Sequence, residues 1–190
     1  DTSRHVVQVL RMKEGEKLNL TDGKGNLIVA EVTNSHKKHC HVNIQHSIFN
    51  TQHSKKVTIA ISLLKNTSRF EWFLEKATEI GISEIIPLIC ERTEKQKFRD
   101  DRMKGICISA MLQSQQTWLP ILHEPVRFGD LVIRQFDDCR KMIAHCIDEK
   151  KQPLYLQIDK SSHRLIAIGP EGDFTKSEIE VAQQNDFIPV

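Results

Sequence analysis

Residues 56–64 read KVTIAISLL, an almost continuously apolar run. A strand with one face in water alternates. A run without alternation suits a strand covered on both faces, as in a parallel sheet. The next stretch, NTSRFEWFLEKATEIG, has a different period. Phe70, Phe73, Leu74, Ala77 and Ile80 recur at helical spacing, Ser68 and Glu71 have the spacing of a capping box, and Gly81 is placed to stop the helix. The alternation then continues. SEIIPLIC reads as a strand, and Asp100 to about Gln116 as a helix with Met103, Ile106, Cys107, Ala110 and Met111 on one face. KMIAHCI and RLIAIG read as two more strands, and a last helix opens on a second capping box, Thr175 and Glu178. Strands alternating with helices predict an α/β domain with a mostly parallel sheet over residues 56–190.

Residues 1–50 read differently, as short strands. LNLTDGKGNLIVAEVT holds two β-rich runs joined at Asp22-Gly23-Lys24-Gly25, a hairpin signal, and His39 to His46 alternates polar with apolar residues. A small β-barrel is expected here. Ser47 to Lys56 is polar and reads as a linker, so the break is expected between about Ile44 and Val57. FIPV, at the end, looks like one more strand beginning, and the natural protein is expected to continue beyond it.

Composition narrows the class. The net charge is +2, too mild to prove a nucleic-acid partner by itself. No run approaches the ~18 apolar residues of a membrane span, and Asp1-Thr2-Ser3-Arg4 has no apolar run behind it to suggest a signal peptide. The five cysteines are scattered without a CxxC. That pattern argues against a disulfide framework or zinc knuckle and favours a reducing, cytoplasmic setting. His39 and His41 share a strand face, but no third ligand is in sight, so no metal is expected.

IGPEG, residues 168–172, joins a strand to a helix. Ligands of parallel α/β sheets bind beyond the carboxyl ends of the strands, which is where this segment falls. Its two glycines permit close approach and positive φ, and Pro170 stiffens the turn. Three readings stand. A phosphate loop is disfavoured by Glu171 and Asp173 and by the lack of GxxxxGK[ST] or GxGxxG. A cationic or neutral ligand gripped by backbone amides fits better, and S-adenosylmethionine has that chemistry. The third reading is a tight structural turn before a capped helix.

IGPEGDFTKSE resembles the IGPEGGF-x-x-x-E segment of the ribosomal RNA small subunit methyltransferase E family, SPOUT-class enzymes that methylate N3 of a uridine in 16S ribosomal RNA. HVVQVLRMKEGEKLNLTDGKG, LLKNTSRFEWFLEKATEIGISEIIPLICERT and SQQTWLP agree in order, so the resemblance covers nearly the whole chain. It implies a PUA-like, RNA-binding β-barrel over residues 1–50 and a SPOUT domain with a trefoil knot over residues 56–190. It also implies a homodimer and a substrate that is 16S ribosomal RNA or the assembled small ribosomal subunit. Two positions depart from the family: Asp173 stands where a second glycine is usual, and Gln116 where an arginine is usual. The knot-closing segment, of the form L-G-x-R-I-L-R-x-E-T-A, is not in this sequence, and a catalytic arginine expected in it has no counterpart here.

The implied chemistry assigns roles. N3 of uracil is protonated at neutral pH and a poor nucleophile, so its proton must leave or the developing anion must be stabilised. Arg92, after a strand end, is the candidate cation, and Glu171 the candidate carboxylate near the reacting centre. Ile168, Gly169, Pro170, Glu171 and Gly172, with His145 and Cys146 at the next strand end, are the expected contacts to S-adenosylmethionine. Arg11, Lys13, Lys65, Arg69, Lys95 and Lys97, with Arg99 and Arg102, are candidates to track RNA phosphates. For each of these residues a solvated face or an ordinary structural role is the competing reading. An RNA-binding module of the same fold without transfer activity, and a nucleotide-binding α/β protein, are the alternative functions.

Overall fold

The computed structural model describes residues 2–51, 56–148, 150–157 and 163–190. The chain separates into two compact units, Asp1–Gln52 and His53–Val190. Residues 52–55 of the expected linker lie outside the described residues.

The first unit opens with helical turns, not a strand: α1 (Thr2–Arg4) runs into a π-helical turn, η1 (His5–Val9). The β-branched HVVQV stretch has a strand's composition, but tertiary packing overrides that preference. In the turn, Val6 drops into a small core with Leu18, Ala30 and Val32. Three strands follow, β1 (Lys17–Thr21), β2 (Asn26–Ser35) and β3 (Cys40–Phe49), paired antiparallel in the order β1-β2-β3. The β1–β2 connection is the hairpin read from the sequence. Asp22 Oδ1 accepts from the Lys24 N–H at 2.8 Å, and Gly23 and Gly25 adopt φ of 71° and 97°.

The second unit carries one sheet. Its strands are β4 (Val57–Ser62), β5 (Glu84–Ile89), β6 (Ile121–Leu122), β7 (Val126–Arg127), β8 (Cys139–Ala144), β9 (His163–Ile168) and β10 (Ile188–Pro189). They run in the order β10-β8-β9-β4-β5-β6, with β7 also against β5, and every pairing is parallel. The helices are α2 (Thr67–Glu79), α3 (Asp100–Gln113), α4 (Phe128–Val132) and α5 (Lys176–Gln184), with a 3-10 turn, η2, at Leu154–Gln157.

Successive strand residues point to opposite faces, and the apolar ones separate accordingly. Ala60, Ile86 and Leu88 join a cluster with Phe128, Phe174 and Ile179 from α4, α5 and the turn before α5. Ile61 and Ile85 join Phe70, Leu74, Ala77, Met103 and Cys107 from α2 and α3. Thus α2 covers one face and α5 the other. Leu74 is fully buried, and its truncation to Ala in such a core costs about 2–5 kcal/mol.

Two helix details depart from the sequence reading. The cap of α2 is Asn66, whose side chain accepts from the Ser68 N–H at 3.0 Å; Ser68 and Glu71 do not form a capping box. Glu71 instead binds Arg102, an option that appears only once α2 and α3 lie side by side. Ile80 is exposed, and Thr78 takes the buried place, its hydroxyl satisfied by the Leu74 carbonyl at 2.7 Å. Gly81 does end the helix, at φ 83°. The Thr175–Glu178 capping box is present on α5.

Candidate functional site

β9 and β4 are neighbours, yet β4 leads to α2 on one face and β9 to α5 on the other. Adjacent parallel strands whose connections diverge leave a crevice at their carboxyl ends, the switch point where such sheets bind ligands. IGPEG leaves β9 at this point. β8 and β5 flank the pair, so their ends, at Ala144–Cys146 and Ile89–Arg92, border the crevice.

The turn is held from three sides. Glu171 Oε1 accepts from the Lys65 N–H at 3.1 Å, joining it to the loop after β4. Arg92 Nη1 donates to the Gly172 carbonyl at 2.6 Å, joining it to the loop after β5. Asp173 Oδ2 accepts from the Cys146 N–H at 2.7 Å, joining it to the end of β8. Asp173 Oδ1 also accepts from the Phe174 N–H at 2.8 Å, and the Asp173 N–H closes the turn on the Pro170 carbonyl at 2.9 Å. The N–H groups of Glu171 and Gly172 donate to no protein group among the described residues. They are the donors a bound molecule can meet, since Pro170 has none.

The positive φ expected of the glycines falls elsewhere. Gly169 and Gly172 are outside the left-handed region, and Asp173 is inside it at φ 63°. Aspartate tolerates this region better than most residues because its short carboxylate bonds locally. Gly169 is required for another reason. A Cβ there would stand 3.1 Å from both the backbone nitrogen and the ring of Phe174, which is fully buried. The close approach is to the protein's own core.

Behind the crevice, β4 and β5 are joined by a small polar network. Ser62 Oγ donates to the Leu63 carbonyl at 3.0 Å and lies 2.8 Å from Thr93 Oγ1, which accepts from the Cys90 N–H at 2.8 Å. With the Ser62 proton committed, the Thr93 hydroxyl donates to Ser62, so both buried hydroxyls are satisfied. Glu91 is tied to α5: its N–H donates to Glu178 Oε1 at 2.9 Å, and its carboxylate accepts from Thr175 Oγ1 at 3.0 Å. Burial, then the charge of Glu178, pushes the Cys90 thiol up to about 12, so it is a packing residue and no thiolate at neutral pH.

The candidates divide by place. Ile168, Gly169, Pro170, Glu171 and Gly172 form the turn, and Arg92, Lys65, His145 and Cys146 border it. His145 is buried and Cys146 exposed. Lys65 pairs with Glu94 at 2.7 Å, and that bond raises its pKa. Arg69 is exposed on α2. Lys95, Lys97, Arg99 and Arg102 line one cavity. Arg11, exposed at φ 55°, and Lys13 belong to the first unit. The sequence reading missed Asp173 as a structural tie, as well as Ser62 and Thr93, and it read Glu178 as a capping residue without its tie to the Glu91 N–H. The Asp-for-Gly departure at 173 was the available signal for the first. Nothing local marks the others.

Known proteins agree with this architecture. Residues 51–190 match the family described as RNA methyltransferase domain, and residues 1–45 the RNA methyltransferase PUA domain. Ribosomal RNA small subunit methyltransferase E of Synechocystis is 28% identical over 98% of the chain; the chain spans 62% of that relative's length. A crystal structure of a probable rRNA-methyltransferase from Porphyromonas gingivalis superposes with a TM-score of 0.91 at 32% identity, over 98% of this chain and 79% of that one. A ribosomal RNA small subunit methyltransferase E from Neisseria gonorrhoeae, solved bound to S-adenosyl methionine, superposes with a TM-score of 0.88 at 25% identity, over 100% of this chain and 80% of that one. With a parallel sheet, a PUA domain and a family match across the whole second unit, the chain belongs to the ribosomal RNA small subunit methyltransferase E family of RNA methyltransferases.

Proposed function

We propose that this protein binds S-adenosylmethionine at the IGPEG turn and methylates N3 of a uridine in 16S ribosomal RNA, free or within the small ribosomal subunit. The observation that carries this is the turn itself, at a switch point, with two backbone donors that meet no protein acceptor among the described residues and its shape fixed from β4, β5 and β8. These features suit a ligand held by its adenine and carboxylate through backbone groups. Among the described residues no helix is long and apolar enough to cross a membrane.

The bound cofactor supplies an electrophilic methyl on a sulfonium. The protein's own part is positioning and charge. Ile168–Gly172, with His145 and Cys146, form the cofactor wall. Glu171 orders the loop at Lys65. Arg92, held through one N–H by Gly172, keeps its cation beside the turn, where it stabilises negative charge developing on the uracil oxygens. Arg11 and Lys13 in the first unit, and Arg69 in the second, offer charge to RNA phosphates, whereas Lys65 is paired with Glu94. The family resemblance carries with it a knotted second domain and a homodimer working in the cytoplasm. Sedimentation at micromolar concentration tests the dimer.

The test of function has two readouts. Calorimetry should show S-adenosylhomocysteine binding, with no binding of nucleoside triphosphates. Small subunits lacking the modification, incubated with the protein and S-adenosylmethionine, should acquire a reverse-transcription stop at one uridine, because N3 methylation blocks base pairing. Cofactor binding without the stop points to the RNA-binding module; triphosphate binding alone removes the reading.

A further inference from the structure

We infer that the cleft between α2, α3 and the segment leading into α3 is a phosphodiester-binding groove that grips the RNA strand beside the modified nucleotide. The inference rests on the function proposed above and adds to it a location and a set of residues. A cavity of about 280 Å³ is lined by Thr67, Glu71, Lys95, Lys97, Arg99, Arg102 and Met103. Four of the seven are cations and one is a carboxylate.

The cations are arrayed by the backbone. Residues 94–99 carry no helix, and alternate side chains diverge. Phe98 is partly buried in the α2–α3 cluster, edge-on to Phe70 at 6.4 Å between centroids, and Gln96 lines a different cavity. Lys95, Lys97 and Arg99, the residues between and beside them, all line the cleft. Phe98 thus pins the segment while three cations line one wall.

These cations also have no carboxylate in direct contact. Lys56, Lys65, Lys76 and Lys104 each pair with a carboxylate. Among the described residues, Lys95, Lys97 and Arg99 form no ion pair. Lys95 Nζ donates to the Thr67 hydroxyl at 3.0 Å, an uncharged partner. The one carboxylate lining the cleft, Glu71, is engaged by Arg102 through two N–H groups, at 2.5 and 2.8 Å. That bidentate pair fixes the Arg102 guanidinium and, first by its hydrogen bonds, holds the Glu71 carboxyl below its usual range; the charge of Arg99 adds to this without a direct contact.

The position suits a nucleic-acid strand. Lys95 is three residues from Arg92, so their Cα atoms lie within about 11 Å. Thr67 is two residues from Lys65, whose N–H holds Glu171. The same two loops therefore border the turn and the groove. A strand presenting a base at the turn would pass its neighbouring phosphates along Lys95, Lys97 and Arg99.

The test measures fluorescence anisotropy of a labelled, unstructured RNA oligonucleotide across a salt series. Each phosphate neutralised on a single strand contributes about 0.7 to the slope of log affinity against log salt. The triple variant Lys95→Gln, Lys97→Gln, Arg99→Gln should lower that slope by about 2. Lys76→Gln with Lys104→Gln, which changes paired cations, should leave it unchanged. Circular dichroism confirms folding, and Lys97→Gln alone, with a fall of about 0.7, serves if the triple variant unfolds. An unchanged slope, or no RNA binding by the parent, overturns the groove. So does inorganic phosphate binding to the parent without a change in RNA slope, which would make it a small-anion site. S-adenosylhomocysteine titration is run in parallel. A lowered slope without cofactor binding keeps the groove and removes the methyltransferase reading; cofactor binding with an unchanged slope does the reverse.

Discussion

The Asp173 carboxylate accepts the Cys146 N–H at 2.7 Å while Asp173 itself sits at φ 63°. One residue thus ties the turn after β9 to the end of β8, in a backbone conformation most side chains avoid. Where the family usually has a second glycine, this chain has a left-handed aspartate whose side chain bonds to two N–H groups.

Substitutions at 173 should therefore separate backbone from side chain. Asp173→Gly keeps the left-handed backbone at no steric cost but loses both bonds. Asp173→Ala loses the bonds and adds about 1 kcal/mol or more of left-handed strain. Urea unfolding should rank the parent above Asp173→Gly, and Asp173→Gly above Asp173→Ala. Equal stability of the Gly and Ala variants would show that the strain is negligible.

The two glycines of the turn should respond differently. Sequence alone suggests that Gly169→Val removes ligand binding and spares the fold, because the turn lies at a sheet edge. The buried Phe174 against Gly169 changes that expectation. Even Gly169→Ala should destabilise by about 1–3 kcal/mol through overpacking. At Gly172 a Cβ would be 3.4 Å from Arg92 Cδ, an ordinary contact, so Gly172→Ala should fold normally. Thermal unfolding checks both. A Gly169→Ala protein as stable as the parent would mean that Phe174 moves aside freely.

Glu171 can act as an acceptor for the Lys65 N–H or as a charge facing a sulfonium. Glu171→Gln keeps the acceptor and removes the charge. On the geometry, Glu171→Gln should bind S-adenosylmethionine and S-adenosylhomocysteine nearly as the parent does, and Glu171→Ala should weaken both by up to about tenfold, the worth of one hydrogen bond. The homocysteine compound lacks the positive sulfur. If Glu171→Gln loses affinity for S-adenosylmethionine alone, charge is the role and the loop contact is incidental.

Alkylation should distinguish two cysteines near the site. Iodoacetamide reacts with thiolates, and Cys90 is buried and pushed up to about 12, so it should stay unmodified at pH 7 to 9. Cys146 is exposed and should be labelled. S-adenosylhomocysteine should slow that labelling if Cys146 borders the cofactor. Peptide mass spectrometry reads both. Modification of Cys90 at the rate of Cys146 would mean that the end of β5 opens readily.

Local patterns carried much of this protein. The unalternating KVTIAISLL declared a strand covered on both faces, and the period of Phe70, Leu74 and Ala77 declared the helix after it. Thr175 and Glu178 declared where α5 begins. Each rests on neighbours within a few residues, which is the range a sequence pattern can express. IGPEG stood out for the same reason: a strand, a turn and a capped helix follow one another directly.

What only the tertiary structure decided depends on which residues the folded chain brings into contact. The helical start at Thr2–Val9 follows from Val6 finding Leu18, Ala30 and Val32. Glu71 leaves its expected capping role because Arg102 comes alongside it. Gly169 is needed because Phe174, five residues on, folds back beneath it, and the left-handed residue of the turn is Asp173 because the Cys146 N–H is there to reward its carboxylate. Lys95, Lys97 and Arg99 look like any charged stretch until Phe98 is anchored and the carboxylates are seen to be taken by other cations. Such choices are set by partners that the fold delivers, and a local pattern holds no record of them.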